Sequence, residues 1–168
     1  MKVAIFRDVL PPHRGTSKSA GFDLFVPRFT PEYIKAFNSF NPDSQTQAFL
    51  EPSRKLICIH PNGRVYIPSG IRIEIPEGSA LFVKNKGGTS WNARVTKIAE
   101  LIDEDYQGEI FITLVNYSSF KTTLEENQKL IQLVRAPVFY DDIKIVPVDQ
   151  LFQNKTERGE GSMGSTGK

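Results

Sequence analysis

Between Leu101 and Ile110 the chain reads Leu-Ile-Asp-Glu-Asp-Tyr-Gln-Gly-Glu-Ile, so Asp103, Glu104 and Asp105 run straight into the phenol of Tyr106, with Gly108 close behind. Carboxylates and a phenol held on a stiff turn can do chemistry on a polar ligand. The same residues can equally do no more than make the turn, because Asp and Gly are ordinary turn formers. A second segment with chemical content is the tail. From Asn154 to Lys168 it holds no apolar residue but Met163, and Gly159, Gly161, Gly164 and Gly167 alternate with Arg158, Ser162, Ser165 and Thr166. Such a stretch cannot bury a core. It reads either as a disordered end or as a flap whose backbone N–H groups, hydroxyls and one arginine fork wrap phosphates.

These segments need elements to position them, and the pattern around them is mostly strand. Short apolar or alternating runs occur at Val3–Phe6, Phe22–Val26, Leu56–Ile59, Val65–Ile67, Ile71–Ile75, Ala80–Val83, Val95–Ile102, Ile110–Val115, Leu130–Val134 and Ile143–Val148. Turn residues separate them, and Pro61-Asn62-Gly63 carries the Asn-Gly hairpin signal. Ile98, Leu101 and Ile102 lead into the acidic segment and Ile110, Ile112 and Leu114 lead out of it, so the expectation is a tight hairpin with the acids at its tip. Many short strands with regular turns predict an all-β fold, a sandwich, barrel or jelly roll. One segment differs. Thr30-Pro31-Glu32 places a capping residue before a first-turn proline, and Tyr33, Ile34, Phe37 and Phe40 follow at helical spacing. A short inserted helix is expected over 31–40, packed on the sheet by its aromatic face, with Asn41–Gln47 as a loop.

The bulk numbers set limits. A chain of 168 residues with 39% hydrophobic and 11% aromatic content fits one domain with a real core. A net charge of +2 with mixed signs does not suggest a nucleic-acid coat or a membrane-surface protein. No apolar run is long enough to cross a bilayer. The N-terminus lacks a secretory pattern, since Arg7 and Asp8 cut short the apolar run. Cys58 is alone and sits in an apolar run, which fits a buried small residue in a reducing cytosol. His13 and His60 lie far apart without zinc-ligand spacing.

Ser19-Ala20-Gly21-Phe22-Asp23-Leu24, the acidic segment and the glycine-rich tail stand here in the order in which one family carries them. The chain resembles the homotrimeric all-β dUTP pyrophosphatases (dUTPases). Ala20–Leu24 and Leu101–Glu109 match that family's motifs closely, Asn127–Leu133 moderately and Arg158–Gly167 well, while Asn85-Lys86-Gly87-Gly88-Thr89 is a degenerate match. The resemblance implies a dUTPase-like distorted β-barrel or jelly roll over 1–153 with a mobile phosphate-binding arm over 154–168. It implies hydrolysis of dUTP to dUMP and pyrophosphate by water attack on the α-phosphorus, which keeps uracil out of DNA and supplies dUMP for thymidylate synthesis. By the same resemblance Asp103 is the general base, Gln132 lies near the α-phosphate, and Arg158 binds the terminal phosphates. Tyr106 packs on the deoxyribose and shuts out a 2′-hydroxyl. The backbone from Lys97 to Tyr106, Ile98 included, reads uracil. Lys86, Gly87, Gly88, Gly164, Ser165 and Thr166 meet the phosphates, and Met163 covers the base. Asp23 touches Mg²⁺ only through the metal's coordinated waters. Active sites at the subunit interfaces of a homotrimer are implied too, with dUTP as the partner, no nucleic acid and no membrane, in the cytoplasm.

Departures from the family pattern are specific. Lys86-Gly87 stands where Arg-Ser is usual, so a serine hydroxyl is missing and the charge has no bidentate fork. Met163 stands where a phenylalanine stacks over uracil, and Glu100 replaces a common glycine. Such departures suit a viral or phage branch. Two rivals remain: a nucleotide-binding regulatory protein on the same scaffold, and the related dCTP deaminases, which need a different acid pattern.

Overall fold

The computed structural model describes residues 1–162, so the expectations for Met163, Gly164, Ser165 and Thr166 lie outside the described residues. The strands in chain order are β1 (Lys2–Ile5), β2 (Phe22–Phe25), β3 (Ala48–Glu51), β4 (Leu56–Ile59), β5 (Arg64–Pro68), β6 (Ile71–Glu74), β7 (Ser79–Asn85), β8 (Val95–Lys97), β9 (Leu101–Ile102), β10 (Phe111–Asn116), β11 (Thr122–Glu125) and β12 (Lys129–Pro137). Two α-helices interrupt them, α1 (Pro31–Phe40) and α2 (Gly87–Ala93). The all-β expectation holds, but the strands form four separate antiparallel sheets and not a closed barrel: β1-β6, β5-β10-β8, β11-β4-β3 and β2-β12-β7-β9. Between the sheets lies a shared core that includes Leu24, Phe37, Ile57, Ile67, Leu81, Ile112, Leu124 and Leu133, all fully buried.

Helix α1 forms where its cap signal falls. The Thr30 side chain accepts the Tyr33 N–H, and Pro31 begins the first turn. Tyr33 and Phe37 point into the core, and the Asn41 side chain then clamps the helix end to β5. Its amide donates to the carbonyls of Phe37 (2.9 Å) and Tyr66 (2.7 Å), and its oxygen accepts the Tyr66 N–H at 2.8 Å. In effect one side chain substitutes for a neighbouring strand.

Four expectations change. The run 95–102 is two strands, because β8 joins β10 while β9 crosses to the edge of β7. Asn62 does take positive φ (57°), but it turns a corner between β4 and β5, which belong to different sheets. Gly63 is required there by close approach: a Cβ would stand 2.4 Å from the Gln47 carbonyl oxygen. Residues 48–51, directly after the expected Asn41–Gln47 loop and not among the expected strands, form β3 paired with β4. Ile143–Val148 makes no strand among the described residues, and Ile143 and Ile145 are more than 90% exposed.

Candidate active site

The acidic segment is not the tip of a two-strand turn. Strands β8 and β10 pair with Lys97 opposite Leu114, and the long connection between them carries β9 sideways onto β7, with Ile102 opposite Leu81. This opens the connection into a cavity of about 260 Å³. Its walls are Val83, Ala99, Leu101, Ile102 and Ile110, with Tyr66 and Phe111 forming an aromatic side and Asp103, Tyr106 and Thr113 supplying polar groups. An apolar cleft with a few convergent polar groups is the usual form of a small-molecule site.

Two of the three acids have distinct parts. Glu104 accepts the Gly78 N–H at 2.6 Å and so pins the segment to the turn before β7. Asp103 closes the turn through its carbonyl, which accepts the Tyr106 N–H at 3.2 Å, and leaves its carboxylate exposed at the cavity. Tyr106 folds back and donates its hydroxyl to the Glu109 carbonyl at 2.7 Å. The ring can lie there only because residue 108 has no side chain: a Cβ at Gly108 would stand 2.4 Å from the phenol oxygen. Ile98 does not line the cavity. It is half exposed, and its N–H is taken by the Thr113 carbonyl at 2.9 Å, while the Thr113 hydroxyl takes the Ala99 N–H at 3.1 Å. Thr113 and Phe111 were not singled out in the sequence, where they read as ordinary strand residues.

A second cluster lies across β2, β12 and β7. Asp23 is opposite Gln132, and Gln132 is opposite Lys84. The Gln132 amide donates to the Asn85 carbonyl at 3.2 Å, and Gly21 gives it room, since a Cβ there would stand 3.1 Å from the Gln132 Cβ. The buried Asp23 carboxylate accepts Lys86 Nζ on one oxygen and Lys129 Nζ on the other, each at 3.1 Å. Burial pushes this carboxyl up, but the two ammonium groups outweigh it and hold it below the usual carboxylate range. Lys129 was missed as a site residue because a strand lysine normally faces solvent. Lys86 stands at the N-cap of α2, and Gly87 and Gly88 open that helix with nothing near the space a Cβ would fill. Thr89 ties the helix to β12 by donating to the Lys129 carbonyl at 2.7 Å.

The structure therefore brings Asp103 to Tyr106, and Asp23 to Lys86, Lys129 and Gln132, but does not bring the two groups together. Sheet order puts β2 three strand spacings from β9, roughly 14 Å. Asp103 follows the end of β9, whose Ile102 lies opposite Leu81; extending that register by one residue sets Asp103 nearest Ala80, four residues along β7 from Lys84, roughly a further 13 Å in the perpendicular direction. The Cα separation is thus on the order of 20 Å. Arg158 touches neither cluster: it is exposed and donates to the Gly161 carbonyl at 3.0 Å.

Comparison with known proteins decides the family. The dUTPase family profile matches residues 35–167. The chain belongs to the dUTPase family. Among curated relatives, the deoxyuridine 5′-triphosphate nucleotidohydrolase of Hydrogenobaculum sp. is 33% identical over 67% of this chain and 76% of its own length. That of Heliobacterium modesticaldum is 28% identical over 99% of this chain and 97% of its own. Among solved structures, a Staphylococcus bacteriophage 80alpha dUTPase with dUpNHpp superposes at a TM-score of 0.75 over 99% of this chain and 98% of its own, at 19% identity. That likeness speaks for the fold. Hydrolysis of dUTP is the reaction of the dUTPase family, and this chain is a hydrolase of that kind.

Proposed function

We propose that the cavity inside the β8–β10 connection takes the deoxyuridine of dUTP and that Asp103 at its rim is the general base. The observation that carries this is the pairing, in one short turn, of an exposed carboxylate with a phenol ring folded over a cavity of nucleoside size. A carboxylate so placed orients a water for in-line attack on the α-phosphorus and takes its proton, while pyrophosphate leaves. The Tyr106 ring occupies the space a ribose 2′-hydroxyl needs, so preference for the deoxy sugar is steric. Because the Ile98 and Ala99 amides are engaged by Thr113, uracil is read by the remaining backbone groups of the connection.

Lys86, Lys129 and Gln132 form the phosphate side. The ammonium groups that hold Asp23 are the charges a triphosphate meets, and Gln132 can donate to an α-phosphate oxygen or to the attacking water. Asp23 fits magnesium in one way only. Both its oxygens are taken by lysines, and the described residues hold no group of three or more His, Cys, Asp or Glu that could cage an ion. The residues thus suit a hydrated ion carried on the phosphates, whose waters Asp23 holds and whose charge offsets that of the leaving group. A dUTPase of Staphylococcus aureus phage phi11 is described with a structural Mg(II) ion.

The distance between the two clusters argues that they serve different active sites, each completed by another copy of the chain. The segment 138–152 supports the same reading. Phe139, Ile143, Ile145, Val148 and Phe152 are at least 79% exposed, a run of apolar side chains that one chain leaves uncovered. A homotrimer with interfacial sites accounts for both, with residues 154–168 as an arm that brings Arg158 to the terminal phosphates of a neighbour's nucleotide.

Pyrophosphate release by Asp103→Asn tests the base. Turnover of dUTP should fall by about a thousandfold or more, with nucleotide binding retained. Near-normal turnover would end the assignment. Ammonia release from dCTP, assayed in parallel, is the result expected of a deaminase instead.

A further inference from the structure

We propose that Arg7 is a positioning residue for the Tyr106 ring and acts on it through Glu109. The inference rests on the reading of Tyr106 as the wall against the deoxyribose. Arg7 lies just past β1, a hundred residues from the site, and nothing in its local sequence marks it. Its guanidinium forks onto the Glu109 carboxylate, Nε to one oxygen and Nη2 to the other, both at 2.9 Å. The first oxygen also accepts the Gly70 N–H at 2.7 Å. Only 20% of the Arg7 side chain and 10% of the Glu109 side chain are exposed, so this is a shielded pair with most of its hydrogen bonds satisfied. Tyr33 of α1, itself buried, lies close enough to feel both charges.

The surroundings are built for the fork. Gly70 has φ +73°, and a Cβ there would stand 2.6 Å from the Arg7 Cβ, so the backbone conformation and the space both call for glycine. Phe6 donates to the Gly70 carbonyl at 3.0 Å, Ser69 to the Ile110 carbonyl at 3.2 Å, and Ile110 to the Ile71 carbonyl at 2.9 Å. Three separate segments are thus knitted around Glu109. What that anchors is the peptide carbonyl of the same residue, the acceptor of the Tyr106 hydroxyl at 2.7 Å. Fixing the carboxylate fixes the carbonyl, and the carbonyl fixes the end of the ring that faces the sugar. Glu109 is bound on its side chain by Arg7 and on its backbone by Tyr106, which makes it the joint between them.

The test uses the full-length chain and four variants, Arg7→Met, Arg7→Lys, Tyr106→Phe and Tyr106→Ala, with kcat and KM for dUTP and for UTP and the melting temperature of each. Arg7→Met should lower the preference for dUTP over UTP by about tenfold, mainly by raising kcat/KM for UTP as the wall against the 2′-hydroxyl loosens. Arg7→Lys, which keeps the charge without the fork, should fall between it and the parent. Tyr106→Phe removes only the hydroxyl and should reproduce the loss, and combining it with Arg7→Met should cost no more than the larger single effect. If the Arg7 variants lose thermal stability but keep the parent's dUTP-to-UTP ratio while Tyr106→Ala loses it, Arg7 is structural and the proposal fails. If Tyr106→Ala itself leaves the ratio unchanged, the deoxyribose reading falls and takes this inference with it. Should Arg7→Met fail to fold, Arg7→Lys carries the comparison.

Discussion

Gly108→Ala isolates the placement of the Tyr106 ring from everything else in the site. The φ of Gly108 is not in the positive region, so alanine meets no backbone objection, and the obstacle is the tyrosine alone. An added Cβ would stand 2.4 Å from the phenol oxygen, 2.6 Å from Cζ and 3.0 Å from Cε2. Ordinary carbon contacts begin near 3.5 Å, so the far edge of the ring must retreat by roughly 1 Å. That movement breaks the 2.7 Å hydrogen bond to the Glu109 carbonyl. Because the ring is partly exposed and can swing, the cost to folding is only about one hydrogen bond, ~1 kcal/mol, or a fall in melting temperature of about 2–4 °C. The cost to catalysis is larger, since a displacement of about 1 Å at a positioning group is worth on the order of a hundredfold. Steady-state pyrophosphate release should therefore show kcat/KM for dUTP down about a hundredfold in a protein that still melts cooperatively. The decisive control is Tyr106→Ala, which removes the obstacle: in that background Gly108→Ala should add almost nothing. An effect of equal size with and without the tyrosine would refute the steric account.

Asn41→Ala should cost about 2–3 kcal/mol in urea denaturation, because it strands the Tyr66 N–H and carbonyl. It should also raise KM for dUTP, since Tyr66 and Phe111 form the aromatic side of the cavity; an unchanged KM would separate the helix from the site. At Asp23, burial raises the carboxyl pKa and the lysines lower it further than burial raises it, so the folded value lies below the unfolded one near 4. The Asp23–Lys86–Lys129 cluster therefore stabilises the fold above about pH 4 and loses that contribution as pH falls through the folded value. With Lys86 and Lys129 both changed to Met, burial alone remains, the folded pKa rises above the unfolded one, and Asp23 should cost stability as pH rises through about 4 instead of losing it as pH falls, so its share of the acid limb should vanish; superimposable curves would show that the lysines do not set this carboxyl.

What could be read in the sequence follows from how local each cause is. Helix α1 was legible to the residue because its cap, proline and aromatic spacing sit within its own ten residues. The acidic segment stood out in the sequence as a candidate site, but its geometry was not legible. Whether β9 stays with β10 or crosses to β7 depends on the edge that β7 offers, and nothing between Val95 and Ile110 encodes that. Helix α2 starts Gly-Gly-Thr-Ser, poor helix formers, and forms through tertiary contacts: Thr89 bonds to β12, Ala93 is buried, and Arg94 ends it with φ 53°. The Asp23 cluster and the Arg7–Glu109 pair escaped for one reason. Each joins residues far apart in the chain whose charges look like solvated surface until the fold buries them. Ile143–Val148 has strand chemistry but pairs with no strand among the described residues, because its partner is not encoded in its own few residues.

If one chain supplied both halves of its own site, a mixture of two differently disabled chains could never recover activity. If the halves come from different copies, it must. Chains carrying Asp103→Asn lack the base, and chains carrying Asp23→Asn with Gln132→Ala lack the phosphate side; each alone should be inactive. Co-refolded in equal amounts, an interface is whole when the copy giving Asp103 and the copy giving Asp23 are both intact at those positions. With random mixing that holds for about one interface in four. Recovery of about a quarter of the parent's dUTP turnover, absent when the two preparations are mixed without unfolding and read at once, is the expected result. Mixed assemblies that form by native mass spectrometry and yet stay inactive would show that both clusters act within one chain, and the separation of about 20 Å derived from strand order would then have to be bridged by a movement of the β8–β10 connection.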